Sequence, residues 1–362
     1  MPKIRRRSTK LSLEITIADV AREAGVSIPT VSRIVNNKPY VAEETKARVL
    51  AVIERMGFTP HAQAQRLRAG KTRNIALLFP LKSMSDPSYN ALETDFILGA
   101  AAAAGDENFF FNLRTLTPSE HSLLGLFRGN QVDGVVLMQV HLNDWRVDLL
   151  RSKGYPFVTI GHCADNSGIS FIDLDFAAAV ERAFDHLIEA GHRDIGFLAL
   201  PAELRTRGYG PAVRGWDGYQ KSLAAHSLTP HFREVSYAGQ SMFDATLELL
   251  TDAPNLTAIV TTHELAALRI IQALSLHGRS VPDDFSVVPL MTERIAQLCS
   301  PPMTHMEFPA YTMGYRAVNM LVRQIAGELA EPEQVLIAPP LIVGNSTAAV
   351  RSHDQDLKRR KI

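Results

Sequence analysis

The sequence has 362 residues, 46% hydrophobic and 21% charged, which excludes an unfolded polyelectrolyte and leaves material for two or three globular units. A formal charge of zero hides a split: residues 1–73 carry 15 Lys/Arg against 6 Asp/Glu, and the remainder carries 23 against 32. A small basic head on an acidic body fits a polyanion-binding module joined to something larger. Cys163 and Cys299 stand far apart in no metal-ligand spacing, which speaks against a disulfide scaffold and fits a reducing cytoplasm. The N-terminal stretch is basic with no apolar run behind it, so no signal peptide is expected, and no apolar stretch is long enough to span a bilayer.

Residues 1–14 read as a disordered basic arm. Order is expected from Thr16, an N-cap for Ile17–Ala24, with Asp19 in capping-box position and Gly25 suited to the left-handed residue that ends the helix. A second start follows at Ser27, with Pro29 in the first turn where its missing N–H does no harm. Two short helices joined by a tight glycine turn form a helix-turn-helix. Val20, Val31 and Ile34 are spaced to face a shared core, and small Ala21 lets the helices cross closely. That leaves Ser27, Ile28, Pro29, Thr30, Ser32 and Arg33 outward on the half of the second helix that enters a major groove, with Thr16 and Asn36 flanking them. Arg33 can fork onto guanine O6/N7, Thr30 and Ser32 suit bases or phosphates, and Ile28 and Pro29 suit thymine methyls. A third helix is predicted over Glu43–Met56, stopped by Gly57-Phe58-Thr59-Pro60.

Thr16-Ile17-x-Asp19-Val20-Ala21-x-x-Ala24-Gly25-Val26-Ser27-x-x-Thr30-Val31-Ser32-Arg33 resembles the signature of the lac repressor (LacI/GalR) family. Val41-x-x-Glu44-Thr45-x-x-Arg48-Val49 and Gly57-Phe58-x-Pro60 continue the likeness. The resemblance implies a helix-turn-helix domain over residues 15–61 and a hinge helix and linker over 62–74 that forms when a dimer binds its operator. In that reading Ala64 lies against the minor groove and Leu67 wedges into the central base step, bending the duplex. An apolar Leu67 between Arg66 and Arg68 suits a DNA surface better than a core.

Beyond the hinge, apolar runs at residues 75–79, 134–137, 157–160, 195–198, 258–260 and 285–288 read as buried parallel strands, with helices such as Phe176–Ala190 and Glu264–Leu276 between them. The alternation predicts doubly wound α/β lobes. The likeness continues through Val132-Asp133-Gly134-Val135-Val136, Gly191-His192-Arg193-x-Ile195-Gly196 and Val281-Pro282-x-Asp284-x-Ser286-Val287-Val288. It implies an all-α head followed by a two-lobed, periplasmic-binding-protein-like regulatory domain over 75–347. Lobe 1 would take about 75–173 and 306–333, lobe 2 about 174–305 and 334–347, with 348–362 as a tail. A small-molecule effector, a sugar or related metabolite, would sit between the lobes at the C-terminal ends of strands.

Several positions depart from the family pattern. Phe176 stands where Asn is usual, Gly215 where an Arg precedes the Gly-aromatic pair, and His263-Glu264 where Asn-Asp opens a helix. Pro289-Leu290-Met291 replaces Gly-Phe-Asp and loses a carboxylate suited to sugar hydroxyls, so the ligand need not be a simple hexose. Tyr89, His162, Arg214, Trp216, Glu264 and Met291 are the candidate effector contacts.

An enzyme is disfavoured. Gly191-His192-Arg193 reads as helix termination and docking, His263-Glu264 is half of a zinc motif without its second histidine, and Gly208-x-Gly210 alone is too little for a nucleotide loop. No cofactor or metal is expected. A solute-binding transport component is permitted by the lobes but disfavoured by the DNA module. The tail has no leucine heptads for a tetramerisation bundle, so a homodimer on double-stranded DNA is expected, with no membrane partner.

Overall fold

The structure, a computed structural model, describes residues 15–35, 41–58, 72–79, 91–115, 119–235, 239–263 and 266–350. The chain divides into two units between Thr72 and Arg73. In the first, α1 (Ile17–Ala24), α2 (Ile28–Val35) and α3 (Glu43–Met56) enclose a core of Val20, Ala21, Ala24, Val31, Ile34, Val49, Val52 and Phe58. Thr16 and Asp19 form a reciprocal capping box. The Asp19 amide donates to Thr16 Oγ1 at 3.3 Å, and the Thr16 amide donates to Asp19 Oδ2 at 3.0 Å. Gly25 takes φ of 64°, the left-handed conformation that turns α1 into α2 without a Cβ penalty.

The second unit holds two six-stranded sheets. Lobe 1 contains β1 (Asn74–Leu78), β2 (Phe110–Arg114), β3 (Gly134–Leu137), β4 (Phe157–Ile160) and β5 (Ser170–Leu174), with helices α4 (Ala91–Asp106), α5 (Glu120–Arg128) and α6 (Trp145–Lys153) between them. Lobe 2 begins with α7 (Phe176–Glu189). It continues through β6 (Ile195–Ala199), α8 (Ala202–Thr206), α9 (Gly210–His226), β7 (His231–Glu234), α10 (Gly239–Asp252), β8 (Ala258–Thr261) and α11 (Ala266–Leu276) to β9 (Ser286–Met291), α12 (Glu293–Ala296) and β10 (His305–Glu307). The chain then returns to lobe 1 as α13 (Ala310–Ala326) and β11 (Gln334–Ile337) and ends in lobe 2 with β12 (Leu341–Ile342). Sheet orders are β11-β5-β4-β3-β1-β2 and β12-β10-β9-β8-β6-β7, parallel except where β12 meets β10. Central strands β3, β4, β5, β6, β8 and β9 are buried along their whole length, as parallel strands covered on both faces must be. Helices α4 and α13 approach so closely that a Cβ at Gly314 would lie 2.2 Å from the Phe96 carbonyl oxygen.

Three chain crossings join the lobes, and two fall later than expected. Strand β10 still belongs to lobe 2, so the second crossing lies at Phe308–Pro309 rather than near 305. The third follows Ile337 rather than residue 333, because β11 pairs in parallel with β5 (Val335 opposite Ile172) and packs Val335 and Ile337 onto the lobe 1 core. The expected tail is also shorter. The Val350 amide donates to the Ala190 carbonyl, so residues 348–350 dock on lobe 2, and only 351–362 lie outside the described residues.

Gly191, at φ of 95°, ends α7 and brings buried His192 against Thr257 Oγ1 at 2.8 Å and the Ala348 carbonyl at 3.0 Å. This is the helix-ending, docking role expected of Gly191-His192-Arg193. Burial depresses the affinity of His192 and His186 for a proton and lowers His263 to about 4. Each is neutral in the folded state between its depressed value and the ordinary value of about 6.5, while the unfolded chain binds the proton. Their stabilisation is therefore full above about pH 6.5 and is lost as pH falls, at up to roughly 1.4 kcal/mol per pH unit for the fully buried His263 and less for half-buried His186 and for His192. Urea midpoints at pH 7.5 and 5.0 check this: His192→Gln is expected to lose less stability on acidification than the parent. An equal loss would show that His192 does not contribute.

Candidate DNA-binding surface and effector cleft

On α2 the helical period separates two sets of residues. Val31 and Ile34 face the three-helix core, while Ser27, Ile28, Pro29 and Arg33 are exposed and Thr30 and Ser32 half-buried. Ile28 leaves 43% of its surface in water, an unpaired apolar side chain where a thymine methyl would find it. The Ser27 and Thr30 hydroxyls lie 2.8 Å apart at the helix start, where the helix dipole favours a phosphate. Among the described residues Arg33 makes no ion pair, so its guanidinium fork is available. Thr16 is exposed, but its hydroxyl is bonded 2.6 Å from Asp19 Oδ2, so its first role is to fix the start of α1. Hydrogen bonds from Thr16 in turn hold the Asp19 carboxyl below its ordinary value. Asn36, Ala64 and Leu67 lie outside the described residues.

In the larger unit, the C-terminal ends of β4 and β5 meet the start of α9. Asp173, buried at the end of β5, is the hub. Its Oδ2 lies 2.7 Å from His162 Nδ1 and accepts from the His162 amide at 3.2 Å, while its Oδ1 accepts from the Leu174 amide at 2.8 Å. His162 stacks on Phe171 with ring centroids 5.1 Å apart. From lobe 2, Arg214 donates through Nη2 to the His162 carbonyl at 2.9 Å and places Nη1 3.8 Å from Asp173 Oδ2. That Nη1 is buried and has no hydrogen-bond partner among the described residues. Gly210 makes room for it: a Cβ there would lie 2.4 Å from Arg214 Nη1. Burial disfavours the Arg214 cation and Asp173 favours it, the balance of a charge held between lobes.

Two further polar ties cross between the lobes. His141 Nδ1 lies 2.9 Å from the Arg207 carbonyl, beside amide–carbonyl bonds from Leu142 to Gly208 and from Gly210 to Val140. Arg294 on α12 donates to Asp95 on α4 at 2.8 Å. Behind the first of these, a buried Asp144–Arg146 pair (2.6 Å) anchors the loop after β3, and Arg146 Nη2 also donates to the Met138 and Gln139 carbonyls. No motif in the sequence marks Asp173, Asp144 or Arg146 as site residues. The available signal was a carboxylate inside the apolar run Ser170-Phe171-Ile172-Asp173-Leu174, since buried acids are rare unless paired.

Of the six expected effector contacts, the structure brings together His162 and Arg214. Tyr89 and Glu264 lie outside the described residues. Met291 is corrected to a core residue: at 0% exposure it points with Val287 into the lobe 2 core, because alternate residues of β9 face the same side. Trp216 is also drawn away from this cluster. Two positions along a helix from Arg214, it faces elsewhere and packs on Tyr219 and Phe232, with Arg205 4.3 Å above its ring. Cys163, next to His162, offers no nucleophile, since burial and the charges of Asp144 and Asp148 push its thiol to about 11. Both cysteines are free and buried.

No helix among the described residues is long and apolar enough to cross a membrane. Residues 16–61 match the model described as bacterial regulatory proteins, lacI family, and residues 184–347 match that of a periplasmic binding protein-like domain. The transcriptional regulator CelR of Thermobifida fusca is 31% identical over 91% of this chain and 98% of its own. Catabolite control protein A of Priestia megaterium is 28% identical over 88% and 95%. Among solved structures, a CelR–cellobiose complex superposes with a TM-score of 0.66 at 28% identity, over 92% of this chain and 99% of that one. A lac repressor dimer bound to operator and an anti-inducer gives 0.80 at 22% identity over the same shares, a likeness of fold. Such relatives are regulators rather than enzymes, and the two-sheet body and three-helix head follow their architecture. The chain belongs to the lacI family of bacterial regulatory proteins, DNA-binding transcriptional regulators with a periplasmic-binding-protein-like domain.

Proposed function

We propose that the protein is a homodimeric repressor that reads a palindromic operator with α2 and is controlled by a carbohydrate or related metabolite held between the lobes. The observation that carries the DNA reading is the row Ser27, Ile28, Pro29 and Arg33, exposed on a helix whose other face is buried. In this reading Thr30, Ser32 and Asn36 complete the groove contacts, and Ala64 and Leu67 take the minor groove at the operator centre. A head of 15 Lys/Arg against 6 Asp/Glu on each of two protomers would displace many counterions from DNA. The logarithm of operator affinity should therefore fall steeply and linearly with the logarithm of salt, measured by fluorescence anisotropy. A flat response would rule out a phosphate-dependent dimer.

The effector reading rests on Asp173, His162 and Arg214, which join a carboxylate, an imidazole and a guanidinium from both lobes at strand ends, where α/β folds bind ligands. Such groups form directional hydrogen bonds to hydroxyls and anionic substituents. Cellobiose is the ligand named with the CelR structure, and here it is one member of a test panel. Thermal melting of the full-length protein with mono-, di- and phosphorylated saccharides is expected to single out one class. At a hundredfold excess over Kd the stabilisation would be about 2.7 kcal/mol. Asp173→Asn should reduce that shift sharply; an unchanged shift would place the effector elsewhere.

A further inference from the structure

Outside these sites, one cluster of metal-ligating side chains stands out among the described residues: Glu293, His305 and Glu307, with one donor atom from each lying within 4.8 Å of the others. We propose that these three residues form a site for a divalent transition-metal ion, Zn2+ by the chemistry of the donors, at the lobe 2 end of the second crossing. The proposal does not depend on what binds between the lobes.

His305 lies on β10 with 0% of its surface exposed, and its Nδ1 sits 2.9 Å from the Met303 carbonyl oxygen. A carbonyl only accepts, so Nδ1 carries the hydrogen, and Nε2 is the atom left for a ligand. Nε2 faces Glu307 Oε2 at 3.1 Å and Glu293 Oε2 at 3.3 Å. A lone pair between two carboxylate oxygens is repulsive unless a positive centre lies among them. For a tetrahedral ion with bonds of about 2.0–2.1 Å, neighbouring donors sit about 3.3 Å apart, close to the two distances from Nε2, and the two carboxylate oxygens lie within 4.8 Å of each other.

The surroundings hold the donors in place without neutralising them. Gln297 Nε2 donates to the other oxygen of Glu293 at 2.7 Å, which aims Oε2 at His305. The nearby cation Arg294 is turned away to Asp95. Among the described residues no Lys or Arg lies within ion-pair distance of Glu293 or Glu307. A neutral imidazole and two carboxylates carry a charge of −2, matched to a divalent ion, and half-exposed Glu293 leaves a side open to water as a fourth ligand. Nitrogen and oxygen donors of this kind favour Zn2+ among the abundant divalent ions, whereas Mg2+ and Ca2+ prefer oxygen alone. The site would tie α12 to β10. The Glu307 amide also donates to the Pro340 carbonyl of the third crossing, and Arg294, the next residue after Glu293, makes the tie to lobe 1. An ion there is placed to stiffen the lobe 2 side of the hinge.

The test titrates the metal-free full-length protein with ZnCl2 by calorimetry and with Co2+ by visible absorption. We expect one ion per chain, with the intense Co2+ bands of a four-coordinate site that Zn2+ abolishes. Glu307→Gln and Glu293→Gln should each weaken binding at least about tenfold, while His121→Gln, an exposed histidine elsewhere, should not. His305→Gln removes a fully buried ring, so the glutamate variants decide the matter if it fails to fold. Tight binding unchanged in both glutamate variants would place the ion at another site. Absence of saturable binding would mean that a proton alone bridges His305 and the two carboxylates. Either outcome overturns the proposal.

Discussion

An Arg33→Ala protein is expected to lose operator affinity by about 1–3 kcal/mol per half-site, and so about 2–6 kcal/mol for a dimer on two half-sites. The exposed Arg33 side chain projects from an α2 whose Val31 and Ile34 are locked in the core, so the substitution removes a guanidinium without disturbing the fold. Lysine is not an adequate substitute, because a point charge cannot fork onto guanine O6 and N7. Arg33→Lys should therefore keep most of the salt dependence but relax the base preference at one position in each half-site. Anisotropy titrations of the three proteins on a matched and a substituted operator separate these effects. Equal losses on both duplexes would make Arg33 a phosphate contact rather than a base reader.

Asp144→Ala is expected to destabilise the larger unit by about 3–5 kcal/mol, the usual cost of stranding a buried charge. Asp144 and Arg146 retain only 3% and 8% of side-chain exposure. The carboxylate accepts from Arg146 Nε and Nη2 at 2.9 and 2.6 Å. Burial alone would raise the Asp144 carboxyl, but the Arg146 hydrogen bonds and charge outweigh it and hold it below its ordinary value. Without Asp144 the guanidinium stays among the Met138 and Gln139 carbonyls with no counter-charge. The loop it braces includes Gln139, at φ of 53°, and His141, which touches lobe 2, so effector response should fall along with stability. Circular dichroism should show a melting temperature lower by roughly 10 °C. Asp165→Ala removes a similar partner of Arg151, but one 64% exposed, and should leave melting unchanged. Similar melting for both variants would show that burial does not set the value of the Asp144 pair.

What the sequence reveals divides by range. The head is locally encoded. A capping box, a left-handed glycine and a 3.6-residue apolar period suffice to place Ile17–Ala24, Ile28–Val35 and Glu43–Met56, and with them the exposed row that ends at Arg33. Continuous apolar runs likewise mark β3, β4 and β8, since parallel strands need no polar face. The cleft is not local. Asp173 meets Arg214 across 41 positions of chain, and nothing in either neighbourhood announces the pairing. Family positions point to Met291 and Trp216, but strand alternation and helical phase give them other contacts. Strand β11 is not legible in the sequence, because Gln334-Val335-Leu336-Ile337 is a half-exposed edge whose lobe is decided by its pairing with β5.

The most direct measurement is selection of full-length protein on random duplex DNA, with the Arg33→Ala variant selected in parallel. The wild-type protein should enrich an inverted repeat with a strong guanine preference in each half, and Arg33→Ala should enrich the same repeat with that position flattened. Recovery of no common sequence, or of one identical motif from both proteins, would mean that α2 does not read the operator as described.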